Sequence, residues 1–560
     1  HQARAVTATN EGENVVVVTP TASGKTLCYN IPVLNSLLGD PSVRALYLFP
    51  TKALAQDQLA ELEALEEALG EKLQAQTYDG DTPSSIRPRI RKTSRVVISN
   101  PDMLHAGILP HHTRWAAFFQ GLRFVVLDEI HTYRGVFGSH VANVLRRLKR
   151  ICAFYGANPR FICASATIAN PLALAERLTE RSFILVGQED DGSPQGSKHF
   201  LFYNPPLVDR ELGIRRSPVT DARLLAERFL EAGVQTIVFA RARLTTEVLL
   251  TYLRDATQRE GLLPERVQGY RGGYLPVERR QIERGLRDRE VLTVVATNAL
   301  ELGINIGGMD ACVMTGYPGT IASTWQQAGR AGRSAATSAA VLVASASPLD
   351  QYIVAHPDYF FGRSPEQALL NPDNLAIVVN HIRCAAFELP FAPDEAFGHF
   401  PHTHEVLAFL EEEGLLRQSA GQWHWTDQTY PAETVSLRTA QMDNFVIVDT
   451  SADAAVIGIV DRPSAPLLIH EEAIYLHGGE SYLVTKLDWA GRRAEVEPLE
   501  AGYYTQASLS VKVEVTEVYE QTAAPAKEAT ATAATAKPRA VDASSETTIK
   551  AHGTVLITSK

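Results

Sequence analysis

At 560 residues the chain has room for about three to five domains by ordinary domain size. It is 45% hydrophobic and 21% charged, as soluble globular proteins are, and no membrane span or signal peptide is expected. Five scattered cysteines exclude a disulfide framework or a zinc site built from them and fit a reducing cytoplasm, while a net charge of −11 leaves nucleic acid open, since phosphate contact needs only a local basic lining.

The first element is the apolar run VVVV at 15–18, a buried strand, followed at once by TPTASGKT at 19–26. Backbone N–H groups of Thr21, Ala22, Ser23 and Gly24 would face a phosphate, because Gly24 lets the chain curl. Lys25 would reach the β- and γ-phosphates, and the Thr26 hydroxyl would bind Mg²⁺. Thr19 stands where the pattern has its first glycine, so the loop alone is a partial match to a phosphate-binding loop. A Gly/Ser turn is the plainer alternative.

β-branched runs at 45–49, 95–99, 124–128 and 161–165 then alternate with amphipathic stretches, predicting a parallel sheet covered by helices on both faces. The run FVVLDEIH at 124–131 ends in two carboxylates. Asp128 can hold Mg²⁺ through its water shell and Glu129 can take a proton from attacking water, although such a pair can also merely cap a helix. The basic clusters Arg87, Arg89, Arg91, Lys92, Arg95 and Arg146, Arg147, Lys149, Arg150 read as solvated faces when each is taken alone. The polar stretch 188–199 reads as an interdomain connection, and a second strand series follows at 236–240, 293–297, 311–315 and 340–345. Two consecutive α/β domains, 1–187 and 188–350, are therefore expected.

Beyond 350 the pattern changes. A helix carrying Val406, Leu407, Phe409 and Leu410 stops at Gly414, and two short strands around Ala420-Gly421 end on Trp423 and Trp425. This order predicts a winged-helix-like module over 351–440. Residues 441–520 read as a small β-rich, barrel-like domain with a hairpin turn at Gly478-Gly479. Residues 521–549, rich in alanine and threonine with interspersed lysine and proline, read as a low-complexity linker. The strand-like GTVLIT at 553–558 places the start of a truncated C-terminal domain at 550–560.

The phosphate loop, DEIH, the triplet Ser165-Ala166-Thr167 and QQAGRAGR at 326–333 stand in the order of a superfamily 2 DExH-box helicase, which the chain resembles from 1 to about 345. The resemblance implies two tandem RecA-like domains, ATP and Mg²⁺, and further roles. Gln2 would read the adenine edge. Thr51 and Lys52, with Asn100, Pro101 and Asp102, would line the nucleic-acid groove of the first domain, though each could simply cap a helix. Arg241, Arg243, Arg271 and Gly272 would form the opposite wall. In ATNALELGINIG at 296–307, Thr297 would touch nucleic acid and Asn305 the ribose, where many relatives carry aspartate. Gln326, Arg330 and Arg333 would reach the γ-phosphate from across the cleft, with the two arginines one helical turn apart. His131, Ser165 and Thr167 would relay nucleotide state to the groove.

The closer resemblance is to the bacterial mitomycin-repair-type helicases and their fungal relatives, related to the RecQ4-like group. VVVVTPTASGKTLCYN, DEIHTYRGVFGSHVANVLRRLKR, YRGGYLPVERRQIE and NPDNLAIVVNHIRCAAFELPF carry it. It implies an ATP-dependent 3′→5′ DNA helicase of repair, working on single-stranded and tailed duplex DNA, expected as a cytoplasmic monomer without a membrane partner. Such proteins end in a four-cysteine metal-binding domain that this sequence does not include. An RNA helicase remains open, because motor motifs contact backbone; so does an ATP-switched clamp that separates no strands.

Overall fold

Val15–Val18 (β1), Arg44–Leu48 (β2), Ala75–Thr77 (β3), Val96–Ser99 (β4), Leu122–Leu127 (β5), Arg160–Ser165 (β6) and Ile184–Val186 (β7) form one parallel sheet in the order β3-β4-β2-β5-β6-β1-β7. Every residue of β1 and β4 is buried, as expected of parallel strands covered by helices on both faces. Alternate residues feed two cores: Val16, Leu46 and Val125 point to one face, Tyr47, Ile98 and Phe124 to the other. The computed structural model describes residues 1–20, 23–193, 196–259, 261, 263–301, 303, 306–332, 337–438, 444–451, 455–501, 503–508, 510–525 and 547–559.

The second parallel sheet contains Lys198–Tyr203 (β8), Thr236–Phe239 (β11), Val267–Tyr270 (β12), Thr293–Ala296 (β13), Ala311–Thr315 (β14) and Ser338–Val343 (β15), in the order β12-β13-β11-β14-β15-β8. Leu207–Asp209 (β9) and Ile214–Arg215 (β10) make a small separate pair. The connection expected over 188–199 ends early, because Lys198 and His199 already pair with Ser338 and Ala339 at the sheet edge. The two sheets with their helices are domains 1 and 2. One apolar cluster runs from Tyr47 and Leu54 of domain 1 to Phe239 and Leu300 of domain 2.

Helices Leu375–Glu388 and Thr403–Glu412 precede the hairpin Leu416–Ser419 (β16) and Gln422–Trp425 (β17), which is the winged-helix arrangement. Asn444–Asp449 (β18), Ala455–Asp461 (β19), Ile474–His477 (β20), Glu480–Asp488 (β21) and Arg493–Pro498 (β22) form a mixed sheet in the order β19-β18-β22-β21-β20. Among the described residues its parallel neighbours are β18 and β22, and its other pairs are antiparallel. Of the linker expected over 521–549, residues 521–525 and 547–549 belong instead to strands, since Val511–Pro525 (β23) and Thr547–Ser559 (β24) pair antiparallel. Residues 526–546 lie outside the described residues. The strand expected at 553–558 belongs to β24.

The basic cluster at 146–150 is not a solvated face. The winged helix covers that side of helix Gly135–Phe154, and Arg147 is fully buried against Glu388, its Nε 3.1 Å from Glu388 Oε2. Arg146 reaches Asp373 at 2.7 Å, and Arg150 donates to the carbonyls of Ala385 and Leu389.

Candidate active site

β1 delivers the chain into the loop that precedes helix Lys25–Gly39. Gly24 caps this helix at φ 84°, a conformation that favours glycine, and a Cβ there would fall 2.5 Å from Gln2 Nε2. Gln2 instead donates to the Gly24 carbonyl at 3.0 Å, which ties the first helix to the loop. Ser23 Oγ bonds Thr19 Oγ1 at 2.6 Å. Thr19, standing where a glycine was expected, thus braces the loop from within. Thr21 and Ala22 lie outside the described residues.

Lys25 Nζ donates to the carbonyls of Thr19 and Pro20 at 2.7 and 3.1 Å. Burial pushes its pKa down, and the carboxylates of Glu129 and Asp128 oppose that shift. Asp128 accepts from the Glu129 N–H at 2.8 Å and from Tyr29 Oη at 3.2 Å. Burial, then the neighbouring Glu129 charge, raise Asp128 to about 7. Glu129 holds φ 51°, the left-handed region that costs a non-glycine residue about 1–3 kcal/mol. Its Oε2 lies 3.4 Å from His131 Nδ1.

His131 Nδ1 also accepts from the Ala166 N–H at 3.4 Å, so one imidazole touches both the DEIH carboxylate and the SAT backbone. Burial lowers the pKa of His131 while Glu129 opposes it. Ser165 Oγ donates to the Ala166 carbonyl at 2.8 Å, and Thr167 Oγ1 accepts from Gln188 at 3.1 Å. Of the three expected relay residues, His131 alone joins the two motifs through its side chain.

Domain 2 meets this site at Gly303, where a Cβ would stand 2.8 Å from Glu129 Oε1. Glu301, two residues earlier, accepts from Gln327 Nε2 at 3.0 Å, and its carbonyl accepts from Arg330 at 2.8 Å. Glu301, Gly303 and Gln327 lie within the motifs at 296–307 and 326–333, beside the expected Gln326, but nothing in their residue type sets them apart there. Helix Ile321–Ala328 ends before Arg330, which is buried. Gly329 closes that helix, and Gly332 takes φ 84°. Arg333 and Asn305 lie outside the described residues.

The expected groove residues divide by role. Thr51 and Asn100 cap the helices that begin at Lys52 and Pro101, accepting from Leu54 N and Met103 N. Thr297 caps the turn Asn298–Leu300 in the same way. Lys52 pairs with Asp81 at 2.7 Å. Asp102 pairs with Arg438 at 3.0 Å, whose guanidinium also reaches the Pro50 carbonyl. No sequence signal marked Arg438. Arg241 is exposed and lines a cavity of about 300 Å³ with Arg134, Asn298, Glu301, Thr320 and Gln327. Arg134 comes from domain 1, so this polar cavity lies in the cleft.

Arg243 and Arg271 do not face an open groove. Arg243 pairs with Asp461 of the β-rich domain at 2.8 Å. Arg271 is 1% exposed, with its Nε 2.5 Å from Glu247 and Nη2 donating to the Leu476 carbonyl at 2.9 Å. The β-rich sheet covers this wall beside Gly272, which removes Arg271 from the residues able to set a salt-dependent phosphate contact.

A phosphate loop, a paired carboxylate and a second sheet domain closing on that carboxylate make up a two-domain nucleotide motor. The chain matches the DEAD/DEAH box helicase family over residues 1–174 and the helicase conserved C-terminal domain over 222–335. Residues 370–440 match the winged helix domain of the ATP-dependent helicase HRQ1. It is 54% identical over 520 residues to the uncharacterized ATP-dependent helicase YprA of Bacillus subtilis, covering 92% of this chain and 69% of that protein. The chain belongs to the superfamily 2 helicases of the MrfA/Hrq1 type. The ATP-dependent helicase HRQ1 of Saccharomyces cerevisiae is 37% identical over 519 residues, 90% of this chain and 48% of that protein, so the chain spans about half of this relative. The DUF1998 helicase MrfA bound to DNA superposes with a TM-score of 0.88 at 54% identity, covering 93% of this chain and 70% of that one. Membership implies ATP hydrolysis. No helix among the described residues is long and apolar enough to cross a membrane.

Proposed function

We propose that this chain is the motor of an ATP- and Mg²⁺-dependent DNA helicase that moves 3′→5′ along single-stranded DNA and opens tailed duplexes in DNA repair. The approach of domain 2 to the hydrolytic carboxylate, with Gly303 against Glu129, carries this reading. Glu129 Oε2 and His131 Nε2 are buried and make no hydrogen bond among the described residues, which fits a site awaiting water and phosphate oxygens. Thr26 and Asp128 would hold Mg²⁺, whose charge would offset that of the phosphates. The raised Asp128 pKa is the mark of two crowded buried carboxylates that a cation would relieve.

Glu129 then takes the proton of attacking water, and Lys25 leaves its loop carbonyls for the phosphates. His131 senses the change at Glu129 and passes it to the Ala166 backbone. The choice of DNA rests on MrfA, described as bound to DNA; the polarity and the repair role rest on the family resemblance.

Lys25→Ala should abolish productive ATP binding. Glu129→Gln should keep binding and lose about 10²–10⁴-fold in turnover. Near-normal turnover in Glu129→Gln would remove its role as base. Strand displacement on 3′-tailed, 5′-tailed and blunt DNA, beside matched RNA, tests the rest. Unwinding of 3′-tailed DNA is expected. Preference for RNA would favour the RNA-helicase reading, and ATP turnover without displacement would favour the clamp.

A further inference from the structure

The segment that leaves domain 2 for the winged helix does more than connect them. Glu366 directs its carboxylate at the start of helix Ile321–Ala328: Oε1 accepts from Ile321 N at 2.7 Å and Oε2 from Ala322 N at 3.0 Å. Thr320 Oγ1 accepts from Ser323 N at 3.0 Å. Two residues distant in sequence thus satisfy three of the N–H groups that a helix start leaves without intrahelical partners. The negative charge also meets the positive end of the helix dipole. This helix carries Gln326 and Gln327 and runs directly into Arg330.

The other side of the same segment grips domain 1. The Glu366 carbonyl accepts from Ala169 N at 3.4 Å, two residues beyond Thr167. Asn170 exchanges two hydrogen bonds with the Ala368 backbone, at 2.8 and 3.1 Å. Gly135 N donates to the Leu369 carbonyl at 2.6 Å, four residues beyond His131. Asn371 N donates to Ser139 Oγ at 2.9 Å, and Asn143 Nδ2 donates to the Pro372 carbonyl at 2.8 Å. Residues 366–372 are therefore a strap along the wall that holds DEIH and SAT, with one carboxylate reaching across to domain 2.

We propose that Glu366 is a positioning residue for ATP hydrolysis, orienting the helix that presents Gln326, Gln327 and Arg330 against the DEIH–SAT wall of domain 1. Without the carboxylate, helix 321–328 keeps its Thr320 cap but loses its only charged tie to the strap among the described contacts. Its drift displaces the groups that follow it. A misplacement of about 1 Å at a reacting centre can cost about 100-fold in rate. The inference rests on the proposed role of this part of domain 2 in hydrolysis.

The test is steady-state ATPase of Glu366→Ala, Glu366→Gln and Arg330→Ala, each with saturating single-stranded DNA. Glu366→Ala should lower kcat about 10- to 100-fold. Its KM for ATP and Kd for DNA should stay within about twofold of the parent. Glu366→Gln, which keeps the shape and one acceptor oxygen, should recover much of the rate. An unchanged kcat in Glu366→Ala, or a loss matched in KM and Kd, would overturn the proposal. If Glu366→Ala does not fold, Asn170→Ala, which removes two of the strap's hydrogen bonds to domain 1 without touching the helix, carries the test. An unchanged kcat there would overturn it equally. Full activity in Arg330→Ala would instead overturn the underlying reading of the cleft, which keeps the two failures apart.

Discussion

The two accessory domains ride on different motor domains, and they are attached in different ways. The winged helix has a core around Val378, Phe391 and Leu407 and in addition shares one with domain 1: Cys384, Ala432, Val435 and Leu437 pack in one cluster with Phe119, Leu145 and Leu148. The β-rich sheet keeps a core of its own, built from residues such as Phe445, Val460, Tyr475 and Val496. Each mount centres on a buried arginine, but the pairing differs. Arg147 of domain 1 finds its carboxylate, Glu388, on the winged helix. Arg271 and Glu247 both belong to domain 2, and the β-rich sheet adds neutral groups: Tyr475 Oη, the Leu476 carbonyl and the Gly479 N–H. Among the described residues two ion pairs cross the second mount: Arg243–Asp461, about one-third exposed on each side, adds little, and His477 lies 3.8 Å from Glu278. The winged helix is thus tied to domain 1 by a shared apolar cluster and a buried ion pair, whereas the β-rich sheet is held to domain 2 mainly by hydrogen bonds.

The largest effect should come from Glu388→Ala. It leaves a fully buried guanidinium without its counter-charge, at a cost of about 3–5 kcal/mol. Chemical denaturation followed on the domain 1 transition measures this. A loss under about 1 kcal/mol would put the two mounts on a par. Replacing both Arg147 and Glu388 by methionine should recover most of the loss, because an apolar pair of similar volume suits the same site.

Acid should loosen the first mount next. His105 faces Arg147, and Arg147 also reaches His381 and Glu388; His381 in turn bonds His140. Burial, then the Arg147 charge, push His105 down to about 3. In the unfolded chain it binds a proton near about pH 6.5 that the folded protein refuses. Stability contributed by neutral His105 is therefore present above about pH 6.5 and lost as pH falls toward 3, about 2 kcal/mol of it by pH 5. Melting temperatures measured from pH 7.5 to 5 should fall less steeply in His105→Gln. Equal slopes would deny His105 this part in the acid sensitivity.

The smallest effect belongs to the second mount. Tyr475→Phe removes one neutral hydroxyl from Arg271 and should cost about 1 kcal/mol. Amide exchange should quicken in β20 while β11, inside the domain 2 sheet, keeps its protection. Equal quickening in β11 would mean that the β-rich sheet and domain 2 open as one unit.

Much of this molecule was legible in its sequence because its signals are local. VVVV followed by TPTASGKT specifies a buried parallel strand and a glycine-capped helix start wherever it occurs. Asn100 and Thr51 announce helix caps by their type, and they cap. Gly478-Gly479 specifies a hairpin turn, with both residues at positive φ. That His131 meets the SAT triplet was readable from motif order, although its contact is with the Ala166 backbone.

What the sequence could not hold is the partner of each long charged side chain. Arg147 reads as a solvated helix residue and Arg271 as a groove arginine until another domain covers them. Each is set by a contact more than 200 residues away: Glu388 lies 241 residues from Arg147, and Leu476 lies 205 from Arg271. Glu366 too gains its meaning only from packing, when helix 321–328 and the SAT wall stand on either side of it. Periodicity, caps and glycine conformations arise within a few residues and so are written in the chain; whether a charge meets water, DNA or an opposite charge is decided only when the domains pack.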